Sequence, residues 1–209
     1  LHLSIRRQRQ MCIRDRESPQ EHTKGTALIT GGAVRLGKAM MLGLAEAGYR
    51  VALHYHSSQA AAIEAAEEAR AFGVECELFP FDLVGAANVA DLIDQVRSRF
   101  PDLNVLVNSA SVYDPAPILA TDPALLAKQF KLNFEVPYFL TQAFARSIQA
   151  IGATGSVVNI LDSKIGSNHY HYSAYLLSKK ALAEFTKMAA IELAPTIRTN
   201  GISPGVILP

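Results

Sequence analysis

The sequence predicts an α/β fold, a single domain built on a doubly wound parallel sheet. Three observations carry this. From Thr26 onward, apolar β-rich runs alternate with longer stretches of helical period, the order that βαβ units impose. A glycine-bearing turn, Gly31-Gly32-Ala33-Val34-Arg35-Leu36-Gly37, follows the first run and opens a helix. The 209 residues, 49% hydrophobic and 19% charged, can form one substantial core but are too few for two comfortable domains.

The elements read off in order. Ala27 to Thr30 is the first strand, and Leu36 to Ala47 a helix by period. Arg50 to Tyr55 is the second strand, followed by helical period from Gln59 to Phe72. Glu75 to Phe79 and Asn104 to Asn108 are the third and fourth strands, separated by a helix from Val89 to Phe100. A long helix from Pro123 to Gln149 leads to a fifth strand, Ser156 to Leu161. The helix from Ser173 to Leu193 and a sixth strand, Arg198 to Ile202, complete the series. A sheet of this kind binds ligands beyond the carboxyl ends of its strands, so function is expected in the strand-to-helix turns.

Residues 1–24 lack periodicity, do not begin with Met, and mix Arg and Gln as no core could use. They are expected to lie outside the fold, as a disordered or non-native tail, leaving 25–209 as the domain. The other end stops at Ile207-Leu208-Pro209, just after a strand and its turn, and reads as truncated.

Charge and cysteine content exclude several classes. Net charge is +1, yet six of the 20 basic residues precede Gly25, which leaves the body with 14 basic and 16 acidic residues. That balance lacks the basic surplus that phosphate binding demands, so no nucleic-acid partner is expected. Cys12 and Cys76 are too few and too badly spaced for a disulfide framework or a zinc site, and no metal-ligand spacing appears. No apolar run reaches the roughly 18 residues of a spanning helix, so a soluble, cytoplasmic protein without a membrane partner is expected.

The chemistry concentrates at two places. In the first turn, glycines allow backbone to approach a pyrophosphate, and the helix N-terminus offers free N–H groups and partial positive charge. About 20 residues on, where a carboxylate would hold the ribose 2′-hydroxyl of NAD, stand His54-Tyr55-His56-Ser57-Ser58. With no acid to repel a 2′-phosphate, and with Arg35 available for charge-assisted hydrogen bonds, NADP(H) is the expected cofactor. The second place is Tyr175-Leu176-Leu177-Ser178-Lys179. Residues spaced i, i+4 share a helix face, and an ammonium beside a phenol is expected to lower its pKa from near 10 and make it a usable acid or base.

These pieces, with Phe81-Asp82-Leu83, Asn108-Ser109-Ala110-Ser111, Asn133 and Ser203-Pro204-Gly205, resemble the short-chain dehydrogenase/reductase family, from about Thr26 to the last residue. The resemblance implies a Rossmann-type sheet, a nicotinamide cofactor, and Tyr175 and Lys179 as the proton-transferring pair. It also implies that Gly31, Leu36 and Gly37 shape the phosphate turn, that Asp82 and Leu83 lie against adenine, and that Asn108 and Ala110 flank the cofactor. Lys179 would hold the nicotinamide ribose, Pro204 and Gly205 would approach the nicotinamide, and Asn133 would help anchor a proton-relay water near Lys179. A homo-oligomer, dimer or tetramer, with the two long helices at its interface is likewise implied.

Three departures narrow the resemblance. Arg35 stands for the turn's usual middle glycine, Asn108-Ser109-Ala110-Ser111 for Asn-Asn-Ala-Gly, and Asp162 for the catalytic serine on the fifth strand. Together with His54-Tyr55-His56 and Ser111, they resemble the pteridine reductase branch, which includes enzymes that reduce dihydromonapterin and dihydrofolate. Ser57 stands where that branch usually has arginine. A pterin is a flat, nitrogen-rich ring that wants an aromatic face and a proton source near a ring nitrogen. Tyr113 would supply the face, or else pack against the Asp114-Pro115-Ala116-Pro117 loop, and Asp162, expected to be partly protonated, would supply or relay the proton. The rivals are a carbonyl reductase such as a ketoacyl reductase, whose polarising serine is absent, and a non-catalytic dinucleotide-binding sensor, which has little need of both Tyr175 and Lys179. His169 and His171, in the polar stretch before the last helix, are weaker candidates for the site.

Overall fold

The computed structural model describes residues 23–168 and 170–205. The expectations for the N-terminal tail, for His169 and for the final Ile-Leu-Pro fall outside those residues. Ordered pairing begins one residue before the expected boundary: the Lys24 amide donates to the Gly48 carbonyl at 3.3 Å, and the Lys24 carbonyl accepts from Asn104 Nδ2 at 2.8 Å.

Six strands form one sheet: β1 (Thr26–Ile29), β2 (Arg50–Tyr55), β3 (Cys76–Pro80), β4 (Leu103–Asn108), β5 (Gly155–Ile160) and β6 (Ile197–Ile202). Their order is β3-β2-β1-β4-β5-β6 and every pairing is parallel. The chain winds outward from β1 to β3, returns to β4 beside β1, and winds outward the other way. This reversal opens a crevice beyond the carboxyl ends of β1 and β4.

Burial explains the reading of the strands. All four residues of β1 are fully buried, because parallel strands are covered on both faces and therefore read as unbroken apolar runs. Along β1, Ala27 and Ile29 face one core with Met41, Val51, Leu53 and Ala66. Leu28 faces the other with Leu92, Phe100, Leu106 and Phe144. The first core is covered by α1 (Arg35–Glu46) and α2 (Gln59–Arg70), the second by α3 (Ala90–Arg99) and α5 (Val136–Ala150). A side chain on Gly155 would run into the Phe144 ring at 2.9 Å, so a glycine there lets α5 lie close on β5.

The expected helix from Pro123 to Gln149 is interrupted. It comprises α4 (Pro123–Phe130), a π-helical turn (Lys131–Glu135) and α5. Pro137 has no N–H to donate to the carbonyl of Asn133, four residues earlier, and a helix commonly absorbs such a loss as a π-bulge, often at a functional site. The remaining helix, α6 (Ser173–Glu192), packs beside β6 and carries Tyr175 and Lys179 on its buried side. No helix among the described residues is long and apolar enough to cross a membrane.

Candidate active site

The turn after β1 is held by backbone. Gly31 sits at φ +66, and a Cβ there would come within 3.1 Å of the Ala110 Cα. A Cβ on Gly37 would collide with the Gly31 carbonyl oxygen. Glycine is thus required twice, once for a left-handed backbone and once for close approach. Thr30, which sequence reasoning did not single out, ties this turn to the end of β4: its Oγ1 accepts from Ser109 N at 2.9 Å and Ala110 N at 3.1 Å. Val34, preceding α1, places no side-chain cap on the helix. Its first N–H groups are left for an anionic ligand, and the residues present fit a pyrophosphate.

Arg35 is exposed at φ +49, a left-handed conformation that costs a non-glycine residue about 1–3 kcal/mol and clusters at functional sites. Ser57 and Ser58 are exposed just before α2, and Ser58 also leaves its helix without a side-chain cap. His56 is exposed, with Nε2 3.9 Å from Asp82 Oδ2. These groups remain available for a phosphate.

Three members of the expected cofactor set turn elsewhere. His54, 2% exposed, accepts from the Gly31 amide on Nδ1 at 3.1 Å and donates from Nε2 to the Phe81 carbonyl at 3.0 Å. Burial, against the opposing pull of the Phe81 carbonyl, pushes its pKa from 6.5 to about 4. His54 therefore braces the turn as a neutral imidazole and brings no charge to a phosphate. Tyr55 and Leu83 are buried in the two cores, because the strand pleat and the turn after β3 direct them inward. Asp82 is exposed, its Oδ1 accepting from Val84 N and Gly85 N at 3.0 Å, bonds that hold its carboxyl below the usual range.

Asn108 is also turned inward. It is buried at the end of β4, donating from Nδ2 to Asn159 Oδ1 at 2.8 Å and to Thr141 Oγ1 at 3.3 Å. Its Oδ1 has no partner among the described residues. Asn108 thus braces β4 against β5 and α5, while Ala110 alone of the pair stands against the glycine turn. At the end of β6, the Pro204 carbonyl accepts from Ser163 N at 3.1 Å, and Gly205 is exposed with no atom near a built Cβ.

At the end of β5 and the start of α6 lies the candidate acid–base group. Tyr175, 6% exposed, donates its hydroxyl to Asp162 Oδ2 at 2.8 Å. Burial raises the phenol's pKa, and the hydrogen bond to Asp162 raises it further. This reverses the sequence expectation of a lowered pKa. The physical reason is that Lys179 Nζ, 3% exposed, donates to the Ile160 carbonyl at 2.8 Å, while the group facing the phenol is a carboxylate. Tyr175 accordingly holds its proton and is arranged as a donor. Burial pulls Lys179 down to about 8, with Asp162 opposing. Asp162 is anchored by its other oxygen, which accepts from Lys164 N at 2.7 Å.

Tyr113 reaches the same place from the loop after β4. Its ring stacks on Tyr172, with centroids 4.7 Å apart and planes 10° apart, and meets Tyr175 edge-on at 4.7 Å and 85°. Burial and the adjacent Tyr172 push its phenol up to about 12. Tyr172 and the buried Gln129 are further residues that sequence reasoning missed. The former stood in view as an aromatic three residues before Tyr175, whereas Gln129 gave no signal.

The Asn133 side chain is committed to protein partners. Its Oδ1 accepts from Ser111 Oγ and Val112 N, both at 2.9 Å, and its Nδ2 faces Val112 O and Gln129 Oε1 at 3.0 Å and Ser178 Oγ at 3.2 Å. That amide is fully used by protein. It fastens the Ser111–Tyr113 loop to the π-helical turn and to α6, and Ser111 spends its hydroxyl on the same bond.

A glycine turn at the switch point of a parallel sheet and a tyrosine keeping its proton at the same sheet edge place this protein among the dinucleotide-dependent oxidoreductases. Residues 25–209 match the family model of short chain dehydrogenase, and the chain belongs to that family. It is 32% identical to pteridine reductase 1 of Leishmania tarentolae over 228 residues, spanning 90% of this chain and 78% of that protein. FolM alternative dihydrofolate reductase 1 from Brucella suis, solved in complex with NADP, superposes with a TM-score of 0.82 at 33% identity, over 88% of this chain and 73% of that one. Acetoin dehydrogenase from Enterobacter cloacae superposes at 0.84 with 30% identity, over 88% and 74%. These relatives share the fold, so a choice of substrate must rest on the site.

Proposed function

We propose that the chain is an NADPH-dependent reductase of a pterin ring, dihydropterin or dihydrofolate, with Tyr175 as proton donor. The observation that carries this reading is the hydrogen bond from Tyr175 to Asp162. A carbonyl reductase of this family polarises its substrate oxygen with a hydroxyl at that place, and a carboxylate there would repel the developing oxyanion. A ring nitrogen that takes up a proton is instead favoured by an acid–base pair.

Gly31, Gly37 and the open N-terminus of α1 would hold the pyrophosphate, and Arg35, His56 and Ser57 the 2′-phosphate. Lys179 would hold the nicotinamide ribose, with Pro204, Gly205 and Ala110 beside the nicotinamide. When bound, the cofactor supplies a hydride to a ring carbon of the substrate. Tyr175 delivers the proton to the adjacent nitrogen, so that two hydrogens add across one C=N bond. Asp162, held in place by the Lys164 amide on its other oxygen, relays a solvent proton back to Tyr175. Tyr113 offers the substrate an aromatic face, and the Ser111 oxygen, whose proton goes to Asn133, an acceptor at the edge of the loop.

NADPH consumption, read from its near-ultraviolet absorbance, with dihydrobiopterin, dihydrofolate and an acetoacetyl thioester separates the readings. Turnover of the pterin or the folate is expected. Turnover of the thioester alone would return the protein to the carbonyl reductases, and turnover of none would favour a dinucleotide sensor. An Arg35→Glu variant is expected to lose preference for NADPH over NADH; an unchanged preference would remove Arg35 from the 2′-phosphate site. A homo-oligomer joined through α5 and α6 fits the exposed Phe139, Met188 and Ile191 on those helices.

A further inference from the structure

We propose that Tyr172 is a specificity-determining residue, the backing ring that holds Tyr113 as a flat platform for a planar heterocycle. The proposal deepens the pterin reading and rests on it. Tyr113 is 47% exposed and lies on a loop between β4 and α4. An aromatic side chain so placed would ordinarily rotate freely and lose that freedom on binding a ligand. Here it is already ordered by a parallel stack with Tyr172, at 10° between planes, and by its edge contact with Tyr175. Any flat ring laid parallel to Tyr113 therefore stands nearly perpendicular to the Tyr175 ring, with one orientation chosen before the substrate arrives.

Both sides of this stack are held at their main chain, one by side-chain amides and the other by backbone pairing. On the loop side, Val112 is gripped at both its N–H and its carbonyl by Asn133, and Gln129 Nε2 donates to the Asp114 carbonyl at 3.3 Å. On the Tyr172 side, Ala116 N donates to the His171 carbonyl at 2.7 Å, and Ala116 and Tyr172 form an isolated parallel bridge. His171 adopts φ +69, a strained conformation for a side chain of its size, which persists where neighbours enforce it. That strained residue turns the chain so that Tyr172 enters the stack immediately before α6 begins. Lys164 Nζ lies 5.5 Å from the Tyr172 ring centroid, a cation–π contact that further holds the backing ring. Tyr172 touches neither Asp162 nor Lys179 through any hydrogen bond among the described residues, so its action passes through Tyr113, and it is a positioning residue.

Steady-state kinetics of the full chain with NADPH test this, using dihydrobiopterin as the flat substrate and diacetyl as a small open-chain one. Tyr172→Ala, and Tyr172→Leu, which keeps bulk without the stack, are expected to raise KM for dihydrobiopterin about tenfold while kcat changes by less than about threefold. Tyr172→Phe restores the wild-type KM, and the NADPH dissociation constant stays constant in all three. Equal losses on both substrates, or weakened NADPH binding, would reduce Tyr172 to a support for the start of α6. An unchanged dihydrobiopterin KM in Tyr172→Ala and Tyr172→Leu overturns the proposal while leaving the pterin reading intact, and a Phe variant as poor as Ala would transfer the role to the hydroxyl. A wild-type enzyme that reduces diacetyl and no pterin overturns the reading of the site and this inference with it.

Discussion

The two halves of the crevice are built on different principles. On the side of β1, the turn is made of backbone: Gly31 leaves room for the main chain of Ala110 and Gly37 for that of Gly31, and Thr30 and His54 bond to peptide groups. On the side of β5 and α6, the site is made of side chains: Tyr113, Tyr172, Tyr175 and Asp162 meet from three separate segments. A backbone site binds what every relative binds, because it depends on the path of the chain and hardly at all on which residues decorate it. A side-chain site can be rebuilt by single substitutions, which is how one fold hosts many substrates.

The largest effect expected from breaking either half is chemical. Tyr175→Phe removes the proposed proton donor and should lower kcat on the order of 10²–10⁴-fold, with NADPH binding intact; a variant retaining a tenth of wild-type turnover would show that another group delivers the proton. On the backbone side, Gly37→Val forces a side chain into the Gly31 carbonyl and should cost about 3 kcal/mol of stability or more. Denaturant unfolding together with loss of NADPH binding would register it, and a variant that unfolds like wild type would mean that the turn can open.

The His54 brace has a pH signature of similar size. Its pKa lies near 4 in the fold against 6.5 for the free side chain, so the unfolded chain takes up a proton that the folded one resists. The resulting stability is fully present above about pH 6.5 and falls as pH drops toward 4, by a total on the order of 3 kcal/mol. Unfolding midpoints at about pH 7.5 and about pH 5 should therefore diverge more in wild type than in His54→Gln. Equal pH slopes would remove the neutral imidazole from the account.

Substrate-side substitutions should move selectivity more than stability. Asp162→Ser exchanges the carboxylate for a hydroxyl and should lower pterin reduction roughly 30-fold while raising ketone reduction relative to it; a parallel decline in both would argue that Asp162 merely shapes the turn. The smallest effect is expected for Gln129→Leu, which leaves the Asp114 carbonyl without its donor and removes one acceptor of the Asn133 amide. About 1 kcal/mol of stability should be lost, with a modest rise in substrate KM. No change in either quantity would mean that Asn133 alone fixes the loop.

Strand positions were readable because β1 and β4 are buried on both faces and the apolar runs coincide with the pleated core. The helix broken at Lys131–Glu135 was not, since periodicity barely registers one inserted residue and the cause, Pro137 acting on Asn133, lies in hydrogen bonding. That Tyr175 and Asp162 would meet was readable through family resemblance, but the direction of the Tyr175 shift was not: spacing along a helix brings Lys179 near in sequence, and only the fold shows its ammonium bonded to Ile160 and a carboxylate facing the phenol. His54, Tyr55 and Leu83 carried the right chemistry for a cofactor site, and burial gave them other work.

What the sequence determined by itself was whatever local rules enforce: the alternation of strands and helices, the glycine turn, and the tyrosine and lysine on one face of α6. What only the tertiary structure decided was which side chains meet across segments far apart in the chain. Tyr113 and Tyr172 are brought together by loops whose course depends on a buried amide pair, Gln129 and Asn133, and no periodicity encodes that meeting. Burial then set the protonation of Tyr175 and His54, because the cost of charge depends on what surrounds a group in space and hardly on its neighbours in sequence.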